Sequence, residues 1–211
     1  MGALRSYHGL PGWTLGVLAG TVLALGGCQS LPEDPSFREE PVGYEYVVGP
    51  GDELDIFVWR NPEVSTQEVT VRPDGRVSTP LVEDLVATGK TPTQIAREIE
   101  DVLATYIKEP LVTVIVGGFV GPYSEQIRVV GEAANPQALP YRVNMTLLDV
   151  MIAVGGLTEF ADGNRAILWR MAEGQERQTR VRLEDLIEDG DLSANVPVRP
   201  GDVLIVPESW F

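Results

Sequence analysis

VGPGDELDIFVW at residues 48–59 and VRPGDVLIVPESW at residues 198–210 write one device twice: Val-x-Pro-Gly-Asp-x-Leu-x-(Ile/Val). In each copy the proline presets φ for the second position of a tight turn. The glycine tolerates positive φ at the third, which together are the demands of a type II turn. The aspartate that follows can accept hydrogen bonds from backbone amides left free nearby. A strand then begins. In the first copy Leu54, Ile56 and Val58 share one face, and Asp55, Phe57 and Trp59 share the other. Pro50, Gly51, Asp52, Pro200, Gly201 and Asp202 are therefore read as structural turn motifs that start a strand at a fixed angle, in preference to a ligand site. Two such entries imply two domains.

The intervening chain agrees with that reading. Residues 44–48 read as a strand before the first turn, and Pro73-Asp74-Gly75 marks a hairpin within residues 69–78, with residues 80–82 extended beyond it. Thr91, Pro92 and Gln94 have the spacing of a helix cap with a capping box. Ile95, Ile99, Val102, Leu103 and Tyr106 form that helix's apolar stripe. Residues 111–116 are apolar and β-branched, a buried strand, and residues 117–122 (GGFVGP) read as a boundary. The second half offers strands at 126–130, 138–142 and 165–170, with a return at 178–181. A short helix capped by Thr146 places Leu147, Leu148, Met151 and Ile152 on its apolar side, and a second spans residues 183–189. Strands bracketing single helices, twice over, give an α+β class with two small domains, residues 44–118 and 122–208, and a tail at 209–211.

The start of the chain has a different character. Arg5 is followed by an uncharged apolar run of about 13 residues, short of the roughly 20 that a spanning helix needs. Small residues then lead to Cys28, the order of a secretory signal. Leu25-Gly26-Gly27-Cys28 resembles the bacterial lipobox, which implies cleavage after residue 27 and acylation of Cys28, so that the protein's lipid contact runs through Cys28. Gln29, where an aspartate tends to retain such proteins at the inner membrane, points to the outer membrane, with the folded part on its periplasmic face. Residues 28–43 are polar and proline-rich and read as an acylated tether.

Composition then limits the chemistry. Cys28 is the only cysteine and His8 the only histidine. With the signal removed, neither an imidazole nor a free thiol remains. Ser-His-Asp and Cys-His catalysis and the usual zinc sites are excluded, and nothing asks for a cofactor. Formal charge is −15, and becomes −16 when Arg5 leaves with the signal. Such an acidic chain is a poor partner for nucleic acid. A carboxylate-only glycosidase survives the composition test, but Glu53 and Asp55 stand side by side on one strand face, not opposed across a bond. The chain is read as no enzyme.

At this point the sequence resembles the bacterial polysaccharide export lipoproteins, the Wza-like outer-membrane family. Tyr46 to Leu54 looks like the opening of their export domain, and Val69 to Val77 like its hairpin. Residues 126–207 resemble their soluble-ligand-binding β-grasp (SLBB) domain, with Val130-Gly131-Glu132 near its start, Val154-Gly155-Gly156-Leu157 in its middle and the second Pro-Gly-Asp turn at its end. The resemblance implies a periplasmic, outer-membrane-anchored lipoprotein that forms a ring and passes exopolysaccharide or capsule polymer across the envelope. It also implies an inner-membrane polysaccharide co-polymerase as partner. Long members add further β-grasp domains and a pore helix; a chain ending Glu208-Ser209-Trp210-Phe211 resembles the short class, which needs a separate outer-membrane β-barrel. That ending also resembles exporters associated with exosortase (PEP-CTERM) systems. The rival expectation is a monomeric periplasmic lipoprotein that binds a glycan or small ligand.

Some residues stay open between two roles. Trp59 and Trp169 could stack on sugar rings or pack within the protein. Trp210 and Phe211 are candidates for contact with a neighbouring subunit or partner. Arg165, Arg170, Arg177, Arg180 and Arg182 fall in one stretch and are candidate contacts for anionic polymer, or else surface charges on a hairpin.

Overall fold

The computed structural model describes residues 34–39, 43–172 and 174–210; Cys28 and Phe211 lie outside them. Two α+β domains follow one another. In the first, β1 (Glu53–Val58) is the middle strand of an antiparallel sheet, flanked by β2 (Thr66–Thr70) and β5 (Val112–Gly118). A two-stranded ladder joins β3 (Arg76–Thr79) to β4 (Val82–Val86). Helix α1 (Pro92–Leu103) starts at Thr91, whose Oγ1 accepts from the Gln94 amide at 3.3 Å while Gln94 Oε1 accepts from the Thr91 amide at 2.9 Å. Its buried stripe is Ile95, Ala96, Ile99 and Leu103, set against Leu54, Ile56 and Val58 in one core. Val102 and Tyr106, expected on that stripe, are exposed at its edge.

Two local expectations change. Residues 44–48 join no ladder; Val48 makes one reciprocal pair, its amide to Lys90 O and its carbonyl from the Gly89 amide, both at 2.9 Å. The Pro73-Asp74-Gly75 turn closes, with the Gly75 amide 2.8 Å from Arg72 O and the Arg72 amide 3.0 Å from Arg76 O, but the strands beyond it join different sheets. β2 pairs with β1 and β3 pairs with β4, so the true hairpin turns at Pro80-Leu81, with Leu81 at φ +66°. A leucine in that region gives no turn signal in a sequence.

The second domain is a mixed five-stranded sheet in the order β7 (Ala138–Pro140), β6 (Gln126–Gly131), β10 (Val203–Val206), β8 (Ala166–Ala172), β9 (Gln175–Val181). β10, last in sequence, lies in the centre, parallel to β6 and antiparallel to β8. Parallel neighbours need a long crossover. Here it carries α2 (Leu147–Val154), β8, β9 and α3 (Leu183–Ile187). α2 buries Leu147, Val150, Met151 and Val154, while Ile152 faces outward and Leu148 is partly buried. The expected face was rotated by about one position. Both stripes have helical spacing, and Val150 and Val154 extend the observed one over two full turns.

The stretch read as a tether is in part a strap. Residues 35–38 form a single helical turn whose Phe37 is 1% exposed and belongs to the core of the second domain. The Asp34 amide donates to Thr179 Oγ1 at 2.9 Å, and Arg38 Nη1 to Ser193 O at 2.8 Å. Tyr44 stacks edge-on against Tyr141 at 4.9 Å. One apolar ring in a polar segment escapes a composition argument, yet burying a phenylalanine stabilises a fold by about 1.5–3 kcal/mol.

Candidate functional site

Both Pro-Gly-Asp turns meet the segment that joins the domains. In the first, the Asp52 amide reaches Gly49 O at 3.2 Å and Gly51 sits at φ +91°. The Asp52 side chain is wholly buried. Its Oδ1 accepts from the amides of Val120 (2.7 Å) and Gly121 (2.8 Å), and its Oδ2 from the Gly49 amide (2.9 Å) and the Tyr46 hydroxyl (2.5 Å). Four donors satisfy a carboxylate that no cation touches among these bonds. Burial first, and then the bond to Asp52, push the Tyr46 phenol far above its ordinary range, so it remains a donor. At Gly49 a Cβ would stand 2.1 Å from the Gly121 carbonyl carbon, so the two backbones meet directly.

In the second turn the Asp202 amide reaches Arg199 O at 3.1 Å, with Gly201 at φ +84°. Asp202, equally buried, accepts from the Arg199 amide at 2.8 Å and from Arg170 through Nε (2.9 Å) and Nη2 (2.7 Å). A Cβ on Gly201 would come within 2.6 Å of Ser124 O. Gln126 Nε2 donates to the carbonyls of Val120 and Gly121, each at 3.2 Å. The first turn thus binds the linker amides through Asp52, Gln126 at the start of β6 binds the linker carbonyls, and Gly201 of the second turn lies against Ser124 O.

The five arginines of the candidate polymer surface are dispersed by the fold. Arg170 is 3% exposed, ion-paired to Asp202, donating to Pro197 O at 3.2 Å, with its guanidinium 4.4 Å above the Phe37 ring. It is a core residue, because the strap covers it. Arg165 pairs with Asp162 at 3.2 Å, and Arg182 with Asp185 and Asp191 at 2.6 and 3.1 Å. Arg180 lines a crevice beside Asp34 and Phe37. Arg177 stands opposite Arg170 in the β8–β9 register and donates to Ser36 Oγ at 3.4 Å. Arg199, not singled out from the sequence, joins Arg170 and Arg177 around a pocket of about 350 Å³. Its place just before a Pro-Gly-Asp turn was the available signal.

The aromatic candidates also separate. Trp59 is exposed, edge-on to Phe57 at 6.3 Å, with Arg60 at 6.0 Å from its ring. Trp169 is half-buried on β8, opposite Gln178 and Val203. Trp210 is 88% exposed. Phe57, Trp59, Leu111 and Ile115 make an exposed apolar area on the outer face of β1 and β5. Asp55, weighed as a catalytic acid, accepts from the Glu68 amide at 2.8 Å, while Glu53 is exposed at the start of β1. Among the described residues no group of three or more His, Cys, Asp or Glu is placed to hold a metal ion, and no helix is long and apolar enough to cross a membrane.

The geometry shows two compact α+β domains, each with its own core, that meet at one linker. Comparison with known proteins agrees. Residues 40–117 match the polysaccharide biosynthesis/export protein family, and residues 125–206 match the SLBB domain. The chain is 27% identical over 186 residues to the EPS I polysaccharide export outer membrane protein EpsA of Ralstonia nicotianae, covering 77% of this chain and 47% of that one. It is 30% identical over 178 residues to the exopolysaccharide production protein ExoF of Rhizobium meliloti, covering 78% and 41%. It is 30% identical over 175 residues to the capsule polysaccharide export outer membrane protein CtrA of Neisseria meningitidis, covering 73% and 42%. The chain belongs to the Wza-like polysaccharide export family, whose named role is transport and not catalysis. It spans less than half the length of these relatives.

Proposed function

We propose that this protein is a periplasmic component of an exopolysaccharide or capsule exporter, held to the outer membrane by acylated Cys28. Copies assemble as a ring around a hydrophilic path for the polymer. The observation that carries the reading is the ordered pair of export and SLBB domains along the chain. A linker hydrogen-bonded from both domains supports assembly, since subunits of fixed shape close a ring at a defined angle. The exposed apolar area of Phe57, Trp59, Leu111 and Ile115 supports it as well, as the kind of surface that a neighbouring subunit covers. An inner-membrane co-polymerase beneath the ring and a separate outer-membrane β-barrel complete the path.

The strap gives the anchor a geometric consequence. Six residue steps separate Cys28 from Asp34, which at about 3.4 Å each reach roughly 20 Å. Acylation of Cys28 would therefore hold the SLBB domain close beneath the lipid surface. Two or three acyl chains, at about 0.8 kcal/mol per buried methylene, suffice without a spanning helix. Sedimentation of the acylated protein in detergent tests the assembly. The reading expects a discrete oligomer, and a monomer at every concentration would favour the solitary ligand-binding rival.

A further inference from the structure

We propose that the pocket between the strap and the C-terminal sheet binds the carboxylate of an acidic sugar, a uronate unit. That the sugar belongs to the exported polymer rests on the export reading; the binding itself does not. The pocket, about 350 Å³, is walled by Ser36, Glu39, Arg170, Arg177, Arg199 and Pro200 among others. Its volume is at the small end of ligand pockets and suits one sugar unit better than a run of them.

Three arginines line this pocket in a chain of net charge −15. Arg170 and Arg177 occupy directly opposed positions of the β8–β9 ladder. Like charges so placed repel and destabilise a sheet unless an anion sits between or beside them. Asp202 neutralises Arg170, using Nε and Nη2. Glu39 offsets Arg199 only loosely: its carboxylate is 3.8 Å away and its side chain 76% exposed. Asp34 also acts on Arg177 and Arg170, so the acids around the pocket offset its cations, and an incoming carboxylate would take the place of the loosely held Glu39.

Buried donors point the same way. Arg170 Nη1, directed away from Asp202 by the planar fork, has no hydrogen-bond acceptor, and neither has Arg199 Nε; both atoms are buried. A buried donor left unmade is costly, more so on a charged group. Guanidinium N–H groups match a carboxylate in plane and spacing. A uronate carboxylate that displaced Glu39 from Arg199 would supply an acceptor there.

The test titrates the full-length acylated protein in detergent with glucuronate, with glucose and with inorganic phosphate, by calorimetry. Saturable glucuronate binding is expected, with glucose at least roughly tenfold weaker, about 1.4 kcal/mol. Arg177→Gln and Arg199→Gln should each weaken glucuronate by a similar factor; Arg177 lies on the hairpin, so its variant stays informative if the other unfolds. Glucuronate no tighter than glucose, glucuronate affinity unmoved in Arg177→Gln, or phosphate binding as tightly as glucuronate would each overturn the assignment. Loss of uronate binding with export still dependent on the protein removes the pocket alone, whereas normal secretion without the protein removes the export reading, whatever the pocket binds.

Discussion

The guanidinium of Arg170 lies 4.4 Å above the ring of Phe37 while it grips Asp202 at 2.7 and 2.9 Å. One residue so joins three parts of the chain far apart in sequence: the strap, the β8 strand and the closing turn. The strap is therefore a structural member of the SLBB domain.

Phe37→Ala should lower the stability of that domain by about 3 kcal/mol or more, the usual cost of truncating a buried phenylalanine. It should also expose the peptide bond after Arg38 to trypsin. Thermal melting with limited proteolysis reads both. Unchanged melting with Arg38 still protected would mean that the strap is not docked.

The two turns make unequal demands on their glycines. Alanine at positive φ costs about 1–2 kcal/mol in either place. At Gly51 a Cβ meets only Val120 methyls at 3.7 Å, whereas at Gly201 it meets the Ser124 carbonyl oxygen at 2.6 Å. Gly201→Ala should lower the melting temperature more than Gly51→Ala, and equal losses would contradict the backbone contact.

The two aspartates differ in what their loss strands. Asp202→Asn leaves a buried guanidinium without its counter-charge, which costs about 3–5 kcal/mol. Asp52→Asn sets an amide group against some of four donors, at about 1–3 kcal/mol for each one unsatisfied. Urea unfolding should rank Asp202→Asn as the more damaging. Asp52→Asn should in turn accelerate hydrogen exchange at the Val120 and Gly121 amides, with little effect near Arg170.

Strap docking should weaken in acid. The Ser36 amide, and then its hydroxyl, hold the Asp34 carboxyl below the usual carboxylate range. The folded value lies under the unfolded one, so its contribution is complete above about pH 4 and is lost as pH falls through the folded value. Hydrogen exchange at the Ser36 amide should rise, relative to the intrinsic rate, as pH drops below about 4. Asp34→Asn should flatten that dependence, and an identical profile in the variant would remove Asp34 from the account.

Much of this fold was legible in the chain. Thr91-Pro92 with Gln94, the Gly155 cap and the paired Pro-Gly-Asp turns carry local chemistry strong enough to survive tertiary context. What escaped depends on partners distant in sequence. Leu81 turns a hairpin without glycine. Arg170 looked like a surface cation because its counter-ion is 32 positions away and its cover, Phe37, is on the other side of a whole domain in sequence. The strap did carry one sign, Asp34-Pro35 ahead of a lone phenylalanine, which is a cap, a first-turn proline and an apolar anchor in order.

The most direct measurement is the location of the polysaccharide in cells from which this gene has been deleted. Export through an assembly of this protein predicts polymer trapped in the periplasm and none at the surface, with both restored by the wild-type gene. Polymer secreted normally by the deletion strain would contradict the account.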